Sequence, residues 1–197
     1  MNLRTAKIGI LLLVSIVTCP CFAQSTLEKF THCNLGDDFQ IVQVDRLPRA
    51  PMSRTVETAS GSKQVVMTDG YRVLITYKET EPFVNLKAEQ FENARYATDK
   101  QTLISSLENS SKGTPNMVSA KPERAKIGFF DAYGINRKAL EGGVLSTYIL
   151  FDDSAAQALT AYILNDEPKD RKFQTIGEYD KLRDNFLNKL GACTSGR

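Results

Sequence analysis

The sequence predicts an α+β domain: an antiparallel sheet of about six to seven strands with two main helices packed on it. Two observations indicate this class. First, apolar and polar residues alternate in several consecutive segments with short turns between them, as in antiparallel strands. Second, two segments have apolar residues at helical spacing, one between two groups of strands and one after the last strand. No internal repeat interrupts this order. Residues 24–197 are therefore expected to form one domain, with its core over 55–191.

Residues 1–23 have the pattern of a cleavable signal peptide. Arg4 and Lys7 precede an apolar run over 8–17, which is shorter than the roughly 20 residues needed to cross a bilayer. Cys21 and Ala23 supply the small residues expected before a cleavage point. The alternative is an uncleaved N-terminal anchor. Cleavage predicts an exported protein, periplasmic or extracellular, with no transmembrane segment left in it.

The first strands are expected only after an irregular segment. Residues 24–54 are predicted to be irregular, since Pro48 and Pro51 interrupt any regular pattern there. Strands are predicted at 55–59 and 63–67, where a Ser-Gly-Ser sequence between them suits a hairpin turn.

A second turn is predicted at Asp69-Gly70, and a strand follows it over 71–78, where every second residue is apolar. A further strand is predicted at 83–89. The first main helix is expected from Tyr96, because apolar residues then recur at helical spacing until Lys112, which precedes a glycine and a nearby proline.

Three strands are predicted at 127–137, 144–151 and 156–164, with glycine- and aspartate-containing turns between them, so that they form an antiparallel meander. The last helix begins at the capping-box pattern over 175–178 and is expected to end at Gly191.

Charge excludes two classes of partner. The sequence has 25 lysines and arginines against 23 aspartates and glutamates, and two of the cations belong to the signal peptide. The mature chain is therefore neutral, whereas binding to nucleic acid or to an anionic membrane needs a basic surplus. No nucleic-acid partner is expected.

Two cysteines, Cys33 and Cys193, remain after signal cleavage. An even pair in an oxidising compartment predicts a disulfide. The alternative is two unpaired thiols, since sequence alone does not show that the two residues approach each other.

A search for catalytic groups finds no recognisable set. His32 is the single histidine, which excludes a multi-histidine metal site, and a cysteine held in a disulfide cannot act as a nucleophile. No phosphate-binding glycine loop, zinc signature or nucleophile elbow is present in the mature chain. The acidic pairs lack the spacing of a calcium loop. The sequence therefore predicts a protein that is not an enzyme and that has no metal or cofactor.

Four residues are candidates for a binding surface: Tyr133, Asn136, Arg137 and Asp153. Arginine binds carboxylates through two parallel hydrogen bonds, and tyrosine and arginine are enriched at binding hot spots. The alternative assigns Tyr133 to the core and pairs Arg137 with an acidic neighbour.

The order of predicted elements resembles the PsbP-like fold family. The resemblance covers about residues 54–190 and includes the stretch 160–165, then Arg171 and the stretch 184–186, which are similar to the family's last strand and final helix. The stretches 133–137 and 148–153 also resemble uncharacterised bacterial exported proteins. Members of this fold act mostly as binding or accessory modules. The resemblance therefore implies a binding role.

Two functions from different classes follow. The first is a non-enzymatic binding or accessory module that docks on a protein partner in the cell envelope. The alternative is a carrier of a small molecule or lipid, with a pocket between the sheet and a helix; Phe129, Tyr148 and Tyr162 are candidates to line it. Their simpler role is in the core.

Overall fold

An eight-stranded antiparallel sheet forms the centre of the described chain. The computed structural model describes residues 26–48, 51–78, 82–112, 122–137, 143–165 and 173–194; the predicted signal peptide lies outside them. The strands are β1 (Phe39–Arg46), β2 (Met52–Thr58), β3 (Gly61–Tyr77), β4 (Pro82–Phe91), β5 (Glu123–Ile127), β6 (Phe130–Asn136), β7 (Gly143–Asp152) and β8 (Gln157–Asn165). The helices are α1 (Thr26–Lys29), which continues into a 3-10 turn, α2 (Tyr96–Lys112) and α3 (Ile176–Thr194).

The strands lie in the order β1-β3-β4-β8-β7-β6-β5, and β2 pairs with the first part of β3. Met67 of β3 pairs with Met52 on one side and with Phe91 on the other. Because β1 pairs with residues 71–77 of β3, β1 and β2 follow one another along the same side of this long strand. β6, β7 and β8 lie side by side as the predicted three-stranded meander does, β5 adds a fourth strand to it, and β4 joins it to the rest of the sheet.

The α+β class is confirmed, but the predicted number of six to seven strands is wrong, because the sheet has eight. One strand without a sequence prediction is β1, which lies inside the segment 24–54 that was expected to be irregular. Only Phe39 of this strand is fully buried. An edge strand with so little buried surface has no clear alternation of apolar and polar residues, and so its pattern could not be seen.

The second turn, expected at Asp69-Gly70, is also wrong: β3 runs through it without a break. A register shift between Met67 and Asp69 lets the strand bend there instead. A Cβ atom on Gly70 would lie 2.9 Å from the carbonyl oxygen of Ala88 on β4. The glycine is therefore explained by a close approach of two strands rather than by a turn.

Two further boundaries differ from the predictions. The single strand expected over 127–137 is interrupted by a turn. β5 ends at Ile127, the chain turns at Gly128, and β6 begins at Phe130. The last helix does not end at Gly191 but continues to Thr194. A Cβ atom at Gly191 would lie 2.9 Å from the backbone nitrogen of Gly128, so this glycine lets the helix pack closely on the β5–β6 turn.

The sheet buries apolar residues on both faces. One face, the α3 face, is covered by α3 and by the N-terminal segment that contains α1. The other, the α2 face, is covered in part by α2. The core of the α3 face includes Leu27, Phe30, Val73, Ile75, Leu86, Ala88, Leu150, Leu159, Ala161, Ile163, Tyr179, Phe186 and Leu190. The core of the α2 face includes Val56, Val65, Met67, Phe91, Leu103, Ile104, Leu107, Ile135, Ile149, Phe151 and Ala158.

The start of α3 has the predicted capping box. The Thr175 hydroxyl accepts a hydrogen bond from the backbone N–H of Glu178, and the Glu178 carboxylate accepts one from the N–H of Thr175. The other end of α3 is joined to the N-terminal segment by a disulfide between Cys33 and Cys193, whose sulfur atoms lie at bonding distance, 2.01 Å. The predicted pairing is confirmed.

Removing this disulfide is expected to reduce stability strongly. The two cysteines are 160 residues apart, and the loop-entropy model gives about 5 kcal/mol for a closure of that length. The double variant Cys33→Ser/Cys193→Ser should lose a free energy of unfolding of that order in a urea titration under oxidising conditions. The same titration of the native chain with a reductant should reproduce the loss. Equal stability with and without the bond would contradict this account.

Candidate functional site

A cleft of about 300 Å³ opens between α2 and the sheet. It lies where the apolar part of the α2 face meets a polar part. Its lining residues come from five elements and are Arg54 and Val56 of β2, Leu103, Ser106, Leu107 and Ser110 of α2, Arg137 after β6, Val144, Thr147 and Ile149 of β7, and Thr160 and Tyr162 of β8.

The cleft lies where a row of paired residues across the sheet changes from apolar to basic side chains. The register places Arg72, Lys87, Thr160, Ile149 and Tyr133 side by side across five strands, from β3 to β6. The β6–β7 end of this row is apolar and packs in the core under α2. The β3–β4 end is basic, with Arg72 exposed and Lys87 half-buried. The cleft is at the boundary between the two.

The start of α2 is held to the sheet by polar contacts. The Tyr96 hydroxyl donates a hydrogen bond to Asp153 (2.7 Å), and the Lys100 ammonium donates to both oxygens of the same carboxylate at 2.7 and 2.8 Å. Asp99, which is fully buried, accepts a hydrogen bond from the backbone N–H of Val66 at 3.4 Å. These contacts fix one wall of the cleft relative to β3 and to the β7–β8 turn.

Arg54 and Arg137 line the cleft, and Arg54 is paired with a buried acid. A guanidinium nitrogen of Arg54 lies 2.9 Å from a carboxylate oxygen of Glu89, whose side chain is 2% exposed. The Nε of Arg54 is buried and has no hydrogen-bond partner among the described residues, and the same is true of the hydroxyl of Thr160. Buried polar atoms without a partner are uncommon in folded proteins.

A third cation, Lys87, adjoins the cleft. Its ammonium lies 5.3 Å from the ring centre of Tyr162, within the range of a cation–π contact. Burial lowers the pKa of Lys87, and the positive charges of Arg54 and Arg72 lower it further, while Glu89 opposes them.

The four residues predicted to form one binding surface do not lie together in the structure. Arg137 lines the cleft. Tyr133 is half-buried on the same sheet face, packed edge-on against Phe151, with the guanidinium of Arg124 5.1 Å from its ring centre. Asp153 lies in the β7–β8 turn, beside the start of α2, and accepts the hydrogen bonds from Tyr96 and Lys100 described above.

Asn136 points to the opposite face, the α3 face, and belongs to a buried hydrogen-bond network. Its side-chain oxygen accepts a bond from Ser146 (2.6 Å), and its amide donates to the Tyr148 hydroxyl at 3.1 Å and to Glu123 at 3.2 Å. The hydroxyl of Tyr179 on α3 donates to Ser146. The network joins α3 to three neighbouring strands, which gives Asn136 a structural role.

Burial also acts on the two tyrosines of this network. It raises the pKa of Tyr179 and of Tyr148 above the ordinary value for a phenol. Both side chains are therefore neutral and able to donate a hydrogen bond near neutral pH.

Phe129, Tyr148 and Tyr162, the candidates for lining a carrier pocket, lie in three different parts of the structure. Tyr162 lines the cleft. Tyr148 lies in the buried network on the opposite face. Phe129 lies in another open groove, beside Asp131 and Ser154.

Arg54 and Thr160 were not singled out from the sequence. Arg54 is the last residue of the segment that was expected to be irregular. The alternation of Met52, Arg54 and Val56 would have placed the arginine on the same face as Val56, had β2 been extended by a few residues. Nothing in the sequence marks Thr160 as a binding residue, because threonine is common in strands.

The remaining sequence candidates add no reactive group. The sulfur of Cys33 is bonded to Cys193, and so it cannot act with the adjacent His32. Within the described residues, no three histidine, cysteine, aspartate or glutamate side chains are grouped as metal ligands. None of the described helices has both the length and the apolar character needed to cross a bilayer.

Comparisons of the chain with protein-family models, with curated proteins and with solved structures gave no match.

Asp153 is expected to make stability depend on pH. Burial acts to raise its pKa, but the hydrogen bonds from Lys100 and Tyr96 outweigh that effect, and the net shift is downward. A carboxylate with a lowered pKa stabilises the fold above its unfolded-state value of about 3.9, and the contribution is lost as the pH falls through the folded-state value.

Asp153→Asn should therefore lower the free energy of unfolding near neutral pH by up to about 1 kcal/mol, a limit set by solvent exposure of the carboxylate. The difference from the native protein should shrink at about pH 3. Urea titrations at both pH values measure it. Asp37→Asn, at an exposed aspartate before β1, serves as the control and should change little. A deficit of Asp153→Asn that stays the same at both pH values would refute the account.

Proposed function

We propose that the protein is an exported binding module and that its ligand binds in the cleft between α2 and the sheet. The observation that supports this most is the composition of the cleft. Val56, Leu103, Leu107 and Ile149 provide an apolar surface, and a few polar groups converge beside it. Small-molecule sites in proteins have this combination.

The sequence-based predictions fit this proposal. A signal peptide and a resemblance to binding and accessory modules both agree with a non-enzymatic role outside the cytoplasm. Of the two functions that the sequence suggests, the carrier has the stronger geometric support. Its site was expected between the sheet and a helix, and Tyr162 was one of its candidate residues.

The size of the cleft limits the ligand. About 300 Å³ is at the lower end of the range for small-molecule sites. The ligand is therefore small, or it places only one end in the cleft. One part of it is apolar and contacts α2, and another part is polar and contacts the arginines.

Filling the cleft should abolish binding without unfolding the protein. Ser106 is half-buried on α2 and lines the cleft, so a tryptophan in its place would occupy the space of the ligand. The native protein and Ser106→Trp would be purified from the same cells, and small molecules bound to each would be identified by native mass spectrometry. A ligand is expected with the native chain and not with Ser106→Trp.

Gln101→Trp is the matched control, because Gln101 is exposed on the same helix and does not line the cleft. This variant should retain the ligand. Circular dichroism and thermal melting would show that all three proteins are folded. A ligand that survives in Ser106→Trp lies elsewhere, and the cleft would then lose its proposed role.

A second candidate function, docking on a protein partner, is favoured by strand β1. β1 is an end strand of the described sheet. Val42 and Val44 on it are 52% and 40% exposed, and they are the large apolar side chains most exposed in the described chain. An edge strand with exposed apolar residues can accept an extended segment of another protein as an added strand.

A photo-reactive amino acid at position 44 tests this second function. Irradiation of whole cells should produce one covalent adduct of higher mass if a partner docks along β1. The same amino acid at position 101, which is exposed on α2, should produce none. Adducts at both positions, or at neither, would count against docking on this edge.

A further inference from the structure

Thr160 places a buried hydroxyl in the lining of the cleft. The residue is 2% exposed, and its hydroxyl oxygen has no hydrogen-bond partner among the described residues. Most buried hydroxyls in proteins are hydrogen-bonded, because the burial of an unpaired one is unfavourable. A molecule bound in the cleft would give this hydroxyl the partner that the described chain does not supply.

Arg54 brings a second donor of this kind to the same lining. Its Nη2 lies 2.9 Å from a carboxylate oxygen of Glu89, but its Nε is buried and has no partner within the described chain. Glu89 pairs with Ala158 of β8, two residues before Thr160, and residues two apart on a strand share a face. The guanidinium therefore lies on the same face as the Thr160 hydroxyl, and both groups can donate a hydrogen bond to an oxygen atom.

The charges of the lining favour an uncharged ligand. The positive charge of Arg54 is balanced by Glu89. Arg137, the other arginine of the lining, is not free either, since it interacts with other groups of the protein. Burying a charged group without a free partner is far more unfavourable than burying a neutral group that is hydrogen-bonded. The lining therefore offers hydrogen-bond donors rather than a free cation.

An apolar surface lies beside these donors. Leu103 and Leu107 of α2 and Ile149 of β7 are core residues that also line the cleft. An apolar group placed against them would lose contact with water, which is favourable in proportion to the area buried. The cleft thus combines donors for one acceptor with room for a small apolar body.

We propose that the cleft selects small uncharged carbonyl compounds, whose oxygen accepts hydrogen bonds from Thr160 and Arg54 and whose apolar part packs on α2 and β7. This inference rests on the proposed function and names the class of its ligand. A ketone, an ester or a tertiary amide has such an oxygen and has no donor that would need a partner of its own. The corresponding acid would be ionised at neutral pH, and its charge disfavours it.

Three probes that share a benzene ring test the inference. Acetophenone has a neutral carbonyl, ethylbenzene has no acceptor, and benzoate has a charged one. Their affinities for the purified protein would be measured from backbone amide shifts in NMR titrations. Acetophenone is expected to bind more tightly than benzoate, because the carboxylate would lose its hydration without gaining a free cation. Tighter binding of benzoate would overturn the selection of uncharged ligands.

Thr160→Val tests the contact with the carbonyl, because it removes the hydroxyl and keeps a β-branched residue in the strand. This variant should weaken acetophenone about fivefold, the loss expected for one hydrogen bond, and leave ethylbenzene unchanged. Thr160→Ser keeps the hydroxyl and should bind acetophenone nearly as the native chain does. Without ligand, Thr160→Val should melt at least as high as the native chain, because it loses a buried group without a partner.

A second substitution and a control complete the set. Arg54→Lys keeps a cation beside Glu89 but removes the Nε donor, so it should also weaken acetophenone several-fold and leave ethylbenzene unchanged. Thr55→Val is the control, because Thr55 is exposed on β2 and does not line the cleft. It should bind all three probes as the native chain does.

The outcomes separate this inference from the proposed function. If Thr160→Val changes the affinities for acetophenone and ethylbenzene equally, the hydroxyl does not contact the carbonyl and the inference is overturned. Binding of both probes that is lost in Ser106→Trp would still leave the cleft as a binding site. If no probe binds, the inference fails, and the ligand found by mass spectrometry decides the proposed function on its own.

Discussion

The burial of both faces of the central strands is the constraint on which the rest of the structure depends. β8 and β7 carry apolar residues on each side, and a sheet of this kind needs a covering layer above and below. α3 and the N-terminal segment cover one face. The other face has only α2, which is too narrow to cover it all. The strands change from apolar to polar residues where the helix no longer shields them, and the cleft lies along this line.

Contacts within the protein hold the polar groups of the cleft in place. A buried carboxylate such as Glu89 is strongly unfavourable without a cation beside it, so its contact with Arg54 keeps the guanidinium over the sheet. Side chains that are already ordered lose less conformational entropy when a ligand binds. The contacts of Asp153 with α2 have a similar effect on the opposite wall, because they hold the helix in place at its first turn.

Elements with local signals could be predicted from the sequence. The limits of α2 and the capping box of α3 depend on neighbouring residues, and the structure has both. β1 could not be predicted, because its side chains are mostly exposed and show no alternation. The cleft could not be predicted either: Arg54 lies on β2, Thr160 lies on β8 and Arg137 follows β6, and only the order of strands in the sheet brings them together. The opposite directions of Asn136 and Arg137 were foreseeable, since adjacent strand residues point to opposite faces.

The disulfide between Cys33 and Cys193 encloses all eight strands and α2 in a covalent ring. A protease that cuts one connection within the ring opens it but releases no fragment, because the two pieces remain joined through the sulfur atoms and through the shared sheet. A nicked molecule would keep its strands paired and its cleft walls together. Such a chain tolerates a break that would divide an open chain in two.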